Sequence, residues 1–341
     1  MIRRGWPEPS RDLASRKDPR MGNRLSPWSV ITRASSLAFI AATVAIAVLL
    51  DGPPQADAAP AAGWSSDPPA SFPGTPRWGI PAVNSGARVY LVGGDTPDDR
   101  RELWRYDTAQ NEWSQLSSMS TERWQLAAVA LDGKIYAIGG SSGTIHDSVE
   151  VYDIATDTWS TIAPLSGGPN ERMGAAALDG KVYVAGGSVG GSRFEVYDPT
   201  TGVWSTLAPL PTPRFSLRLV ALGDRLYAIG GWDGSAPVAT VEIYDPTTGT
   251  WSTGSPMAVG REEAGAATVG NLIVVSGGFT ASGPTDSVEV YSTSAGAWTA
   301  GPSMLSPRGG HALASARASV IAMGGFPGLT SVEAVHQRAL H

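Results

Sequence analysis

The sequence predicts an all-β fold: a six-bladed β-propeller with four antiparallel strands per blade. Three observations carry that prediction. Gly-Gly pairs stand at Gly93-Gly94, Gly139-Gly140, Gly186-Gly187, Gly230-Gly231, Gly277-Gly278 and Gly324-Gly325, at intervals of 46, 47, 44, 47 and 47 residues. Each pair but the last is followed by a tyrosine and, seven residues later, a tryptophan: Tyr106/Trp113, Tyr152/Trp159, Tyr197/Trp204, Tyr244/Trp251 and Tyr291/Trp298. Each period also holds four short strand signals. One four-stranded unit cannot bury both of its faces, so neighbours must stack and the stack must close into a ring.

The chain begins with a segment of different character. Residues 1–36 carry eight basic and three acidic side chains, and Leu37 to Leu50 (LAFIAATVAIAVLL) is apolar but for Thr43. Ala56-Asp57-Ala58 follows with the small-x-small pattern of a cleavage site. These are the three parts of a secretory signal peptide. The fourteen residues 37–50 would span about 21 Å as a helix, short of the roughly 30 Å hydrocarbon core. Counting back to Ala34 reaches the lower limit of a span, which is the case for an uncleaved anchor. Residues 1–58 are therefore expected to form a signal peptide or an N-terminal membrane anchor, with Met1 or Met21 as the start. Residues 59–341 are expected to form a secreted, periplasmic or cell-surface propeller. Pro53 to Pro73, rich in Ala, Pro and Ser, reads mostly as flexible linker.

The second period shows the strand logic. Leu126 to Leu131 (LAAVAL) is apolar, and Asp132-Gly133 makes a tight hairpin turn. Lys134 to Ile138 returns to the Gly pair. Val149 to Tyr152 (VEVY) alternates apolar and polar, the mark of a half-buried strand. A turn over Asp153 to Asp157 leads to the strand of Trp159. The third and fourth periods use Asp-Pro-Thr-Thr-Gly at 198–202 and 245–249, where Pro presets φ and Gly supplies positive φ. The blades are expected at about 77–122, 123–171, 172–213, 214–260, 261–307 and 308–341.

The sixth period is incomplete. Val335 takes the place of the tyrosine, and the tryptophan would fall at position 342, one past the end. Ahead of the first period, Gly63-Trp64-Ser65-Ser66 copies Val203-Trp204-Ser205-Thr206. Residues 63–67 are expected to supply the outer strand of the last blade, pairing the two chain ends and covering an open sheet edge.

In register over roughly residues 64–341, the Gly-Gly and Tyr-x6-Trp pattern resembles the kelch repeat family, in its bacterial, secreted form. Composition bounds the chemistry. Without cysteine there is no disulfide, thiolate metal site or cysteine nucleophile. Four histidines without HxH or HxxxH spacing give no metal centre. Beyond the N-terminal segment, 17 basic and 26 acidic residues leave a net charge of −9, which argues against a nucleic-acid partner. No cofactor or metal is expected, and the chain is expected to be a monomer.

Candidate site residues follow from the register. An arginine opens every unit: Arg77, Arg123, Arg172, Arg214, Arg261 and Arg308. Each precedes the innermost strand, which places six arginines around one end of the central channel. A residue present in every blade also has a structural reading, bonding carbonyls of the adjacent loop. Positions that vary between blades carry more functional information. After the arginines stand Trp78, Trp124, Met173, Phe215, Glu262 and Gly309; after the Gly pairs stand Asp95, Ser141, Ser188, Trp232, Phe279 and Phe326. Aromatic faces beside Arg and Glu suit a peptide or a sugar. Some of these aromatics have an alternative reading as inter-blade packing. Glu262 and Glu263, if on a regular strand, point to opposite faces and cannot form one acid–base pair. His311, aligned with Ile80, Leu126, Ala175, Leu217 and Ala264, is placed to reach the channel, as a general base or as a satisfied structural histidine. The acids Glu150, Glu195, Glu242, Glu289 and Glu333 read as solvated or paired between blades. Asp95, Asp98 and Asp99 lack the spacing of a calcium loop.

Function is read as a non-catalytic extracytoplasmic binding module for a protein, peptide or glycan on the channel face. The resemblance also implies an alternative, a sialic-acid-type sugar epimerase or mutarotase. Kelch-type copper oxidases need a cysteine linked to tyrosine, which this chain lacks. A cytoplasmic adaptor of the ubiquitin-ligase type couples its propeller to a helical domain that has no counterpart in this sequence.

Overall fold

The structure, a computed structural model, describes residues 63–66 and 70–340. The signal or anchor segment over residues 1–58 lies outside the described residues. Among the described residues no helix is long and apolar enough to cross a membrane.

Six antiparallel sheets follow one another along the chain, each running from an innermost to an outermost strand. The innermost strands are Ala82–Ser85, Ala127–Leu131, Met173–Leu178, Arg218–Leu222, Gly265–Val269 and Ala312–Ala316. Each contacts the innermost strand of the next blade, and the last contacts the first, which closes the ring around a central channel. Local chemistry explains the hairpins. Between Leu131 and Lys134, Asp132 and Gly133 have φ of 49° and 73°, the two positive values of a type I′ turn that matches the twist of the flanking strands.

The core lies between blades. Val83, Tyr90, Val92 and Leu103 of blade 1 pack against Leu126, Ile135, Ala137 and Tyr152 of blade 2. The repeated Tyr and Trp are cross-strand partners, as in Tyr152 opposite Trp159, and their rings stand 5.2 Å apart. Each indole then reaches back one blade. Trp113, Trp159, Trp204, Trp251 and Trp298 donate their Nε1–H to the carbonyls of Ala70, Ser117, Ala163, Ala208 and Ser255.

The closing strand forms as the repeat arithmetic requires. Ser65 and Ala334 exchange two backbone hydrogen bonds of 2.9 and 2.8 Å. Trp64 is buried, packs among residues of blades 5 and 6, and donates its indole N–H to Pro302 at 2.9 Å. It is the sixth member of the indole series. The linker expectation for Pro53 to Pro73 needs correcting at its C-terminal end. Phe72 is buried in the interface of blades 6 and 1, its N–H bonded to the Thr330 carbonyl at 3.1 Å.

Two further closed series of hydrogen bonds join the blades. In the first, the second glycine of each Gly pair donates to the carbonyl of the residue that opens the next blade. Gly94 bonds Arg123, Gly140 bonds Asn170, Gly187 bonds Arg214, Gly231 bonds Arg261, Gly278 bonds Arg308, and Gly325 bonds Arg77. A side chain has no room at either glycine: a Cβ on Gly139 would stand 2.4 Å from the Asn170 carbonyl oxygen, and one on Gly140 2.8 Å from Leu126 Cβ. In the second series the residue two positions after each opening residue bonds its counterpart one blade back. Gln125 donates to Gly79, Arg172 to Gln125, Ser216 to Arg172, Glu263 to Ser216, Gly310 to Glu263 and Gly79 to Gly310. All six have φ between 48° and 61°.

Replacing Trp64 by Ala is expected to cost about 3–5 kcal/mol, the usual loss for a buried tryptophan, and to lower the thermal midpoint by roughly 10 °C. Removing residues 1–75 is expected to lower it further. A midpoint unchanged by that truncation would show that the ring closes without this segment.

Candidate functional site: the collar and rim of the channel mouth

Both sequence-defined series of variable positions come together at one end of the channel. The residue after each opening residue pairs with the residue after the Gly pair: Trp78 with Asp95, Trp124 with Ser141, Phe215 with Trp232, Glu262 with Phe279, and Gly309 with Phe326. In blade 3 the Ser188 N–H bonds the Glu171 carbonyl at 3.0 Å. Trp78 and Trp124 meet edge to face at 6.3 Å, and Phe279 lies 5.8 Å from Phe326. Phe326 is 40% exposed, whereas Phe279 is buried beneath Gly309, where an added Cβ would fall 2.4 Å from the Phe279 ring. Phe279 therefore packs, while Trp78, Trp124, Phe215, Trp232 and Phe326 form an aromatic rim.

Inside the rim lies the collar of the six hydrogen-bonded residues Gly79, Gln125, Arg172, Ser216, Glu263 and Gly310. They line a space of about 30 Å³. Arg172 donates through Nε to Gln125 Oε1 at 2.8 Å and stacks over Phe215 at 5.6 Å. Gln125 Nε2, Ser216 Oγ and Glu263 Oε2 are buried without a hydrogen-bond partner, as is Trp124 Nε1 beside them. Each such group would gain about 1–3 kcal/mol from a partner. Burial, reinforced by the charge of Glu263, raises the pKa of Glu262 to about 7, with Arg172 opposing. Burial also raises Glu263, against the pull of Arg172 and Arg218.

The sequence pattern of the KLHDC2/KLHL20/DRC7 Kelch-repeats domain matches residues 61–231 and 127–325. The chain belongs to this Kelch-repeat family. No curated protein matches it.

In this Kelch propeller the repeated arginines are architecture. Arg77, Arg123, Arg214, Arg261 and Arg308 are at most 2% exposed, so their expected place on the channel face is corrected. Each lies within its own blade, bonded to the first glycine of the Gly pair: Gly93, Gly139, Gly230, Gly277 and Gly324. Each also pairs with a glutamate: Glu102, Glu150 at 3.0 Å, Glu242, Glu289 at 2.8 Å, and Glu333. The third-strand acids are thus neither solvated nor paired between blades. Burial lowers the pKa of Arg123 while Glu150 opposes. Glu150 in turn accepts from the Ser120 and Thr121 backbone N–H groups.

Arg172 is not the blade-opening residue of the third unit. Asn170 fills that place, its Nδ2 bonded to the Gly186 carbonyl at 2.9 Å, and Arg172 sits two positions on, in the collar. The loop before Asn170, Ser166-Gly167-Gly168, is one residue longer than in the neighbouring blades. The N–H groups of Ser166 and Gly167 cap Glu195 at 3.0 and 3.1 Å, and Glu195 pairs with Arg193 at 3.9 Å. Met173, not Ala175, is the counterpart of His311. Nor is the strand regular at Glu262-Glu263, because Glu263 has φ 48°. His311 is buried, with Nε2 2.9 Å from Ser276 Oγ. Burial and nearby arginines hold it well below its ordinary pKa, hence neutral. Asp95 and Asp99 are held by Arg100 and Arg101. Gln125, Ser216 and Arg218 were not flagged by the sequence. Their signal was position, since Arg218 is the one charged residue on the six innermost strands.

Two measurements test these assignments. Arg123→Ala strands Glu150 in the blade and is expected to cost about 3–5 kcal/mol in urea unfolding, whereas Arg172→Ala, which removes one hydrogen bond to Gln125, is expected to cost less, about 1–2 kcal/mol. Glu262 is raised from 4.5 to about 7 in the fold, so its favourable contribution is complete below pH 4.5 and lost as pH rises through 7. The stability of Glu262→Gln relative to the parent is expected to increase over that window. A flat difference would mean that Glu262 titrates normally.

Proposed function

We propose that this Kelch propeller is an extracytoplasmic interaction module that engages a segment of a protein partner at the channel mouth. The observation that carries this reading is the concentric arrangement of an aromatic rim around a polar collar with unpartnered donors and acceptors. Apolar rings of that size supply the buried anchors of protein interfaces, and paired hydrogen-bonding groups at the centre fix register. A peptide backbone or amide side chain offers both a donor and an acceptor to Gln125, Ser216 and Glu263. The acidic body supports a partner other than nucleic acid, and the basic and apolar pattern of residues 1–58 supports export.

The epimerase alternative needs an acid and a base facing one another across the site. Glu262, near 7, suits one role. The other candidate, His311, lines the cavity on the inner side of the collar, which Glu262 does not reach. The arrangement therefore favours binding over proton transfer.

A peptide and glycan array probed with the chain is expected to yield peptide ligands. Trp78→Ala, Trp124→Ala and Trp232→Ala are each expected to weaken the selected ligand at least about tenfold, the loss of a hot-spot aromatic. Binding that survives all three substitutions would place the site on another face.

A further inference from the structure

On the inner side of the collar, the innermost strands enclose a second space of about 70 Å³. Its wall is apolar, from residues such as Ile80, Leu126, Met173, Leu219 and Leu313. Two polar side chains line it, Arg218 and His311, and no carboxylate does. The corresponding positions to Arg218 in the other blades are small or apolar: Pro81, Ala127, Gly174, Gly265 and Ala312. A single blade has placed a cation in the channel.

That cation lacks the compensation given to every blade-opening arginine. Those five each meet a glutamate within their own blade. Arg218 donates through Nε to the Ala264 carbonyl, and among the described residues it makes no ion pair. The carboxyl it senses, Glu263, lines the adjoining collar space with it without forming an ion pair; burial raises the pKa of Glu263 while Arg172 and Arg218 oppose. The Arg218 side chain is half-buried, and a partly desolvated guanidinium without an ion-pair partner favours one that is charged and hydrogen-bonded.

His311 supplies the second donor. Its Nδ1 is buried without a partner. In the neutral tautomer in which Nε2 accepts the Ser276 hydroxyl proton, the one the proposal requires, the ring proton resides on Nδ1. Gly265 makes room for the ring, since a Cβ there would fall 2.6 Å from Nε2.

We propose that the channel binds one weakly hydrated monovalent anion, of the halide or nitrate class, between the Arg218 guanidinium and His311 Nδ1–H. The volume admits one such ion with a few waters. Water alone leaves the charge uncompensated. The site adjoins the collar space, which Arg218 also lines, but it uses no rim residue and the proposal does not depend on the partner site.

Crystals of the full chain grown in sodium bromide test this by anomalous scattering, together with thermal midpoints in sodium bromide and sodium gluconate at matched ionic strength. The expected result is an anomalous peak at hydrogen-bond distance from the Arg218 Nη atoms. The midpoint should rise by a few degrees in bromide, by preferential binding to the folded state. That rise should vanish in Arg218→Met and persist in Arg172→Ala. No peak in the channel, or an equal rise in Arg218→Met, would overturn the proposal. The diffraction arm needs no variant, so it decides the matter even if Arg218→Met does not fold.

Discussion

Each blade of this propeller is held to the one before it through the carbonyl of its opening residue. That oxygen accepts a hydrogen bond from the second glycine of the preceding Gly pair, six times around the ring, with Gly325 and Arg77 making the last link. The approach is so close that neither glycine has room for a Cβ, as the clearances of 2.4 Å at Gly139 and 2.8 Å at Gly140 show. The opening residue must also be held rigidly for its carbonyl to point back. In five blades an arginine does this by folding into the blade onto the first glycine's carbonyl and a glutamate at or beside the start of the third strand, and in blade 3 Asn170 reaches the glycine carbonyl alone. The Gly pair, the arginine and the glutamate are therefore one device spread over about 30 residues of each period. Their recurrence reflects a single requirement, the register between neighbouring blades.

The same device sets the channel mouth. Once the opening residue is fixed, the next residue pairs with the one after the Gly pair, and the one after that turns into the left-handed region. Its N–H can then meet the carbonyl of its counterpart one blade back. Left-handed backbone is disfavoured for residues with side chains, yet four of the six collar positions carry one: Gln125, Arg172, Ser216 and Glu263. The closed hydrogen-bond series holds that strain in place. Because the collar's backbone groups are consumed by the ring, its side chains are free to differ between blades. Variation without loss of closure is what lets a propeller mouth acquire a ligand, and unpartnered groups gather here while the repeated polar residues are nearly all satisfied.

Much of the fold was legible because repetition multiplies weak local signals. One Gly-Gly or one Tyr-x6-Trp means little, but six periods in register leave few architectures, and the missing tryptophan of the last blade pointed to Trp64. The site was read less well for the same reason. The arginines attracted notice by recurring, and recurrence marks scaffold. Arg172 was assigned to the series because it is the only arginine near the expected place. Spacing within the blade does carry the difference: every opening residue stands 16 positions before the first glycine of its pair, as Asn170 does before Gly186, whereas Arg172 stands 14 before it.

The sequence by itself determined blade number, strand order, turn chemistry and the way the ring closes, since all of these follow from local propensity and period. Tertiary structure alone decided which side chains turn into the blade and which face the channel. That choice rests on backbone conformation at the positive-φ collar and on pairing between residues some 25 to 30 positions apart. Arg123 and Arg218 are chemically identical in the sequence. One lies against Glu150, and the other stands on an innermost strand and makes no ion pair among the described residues.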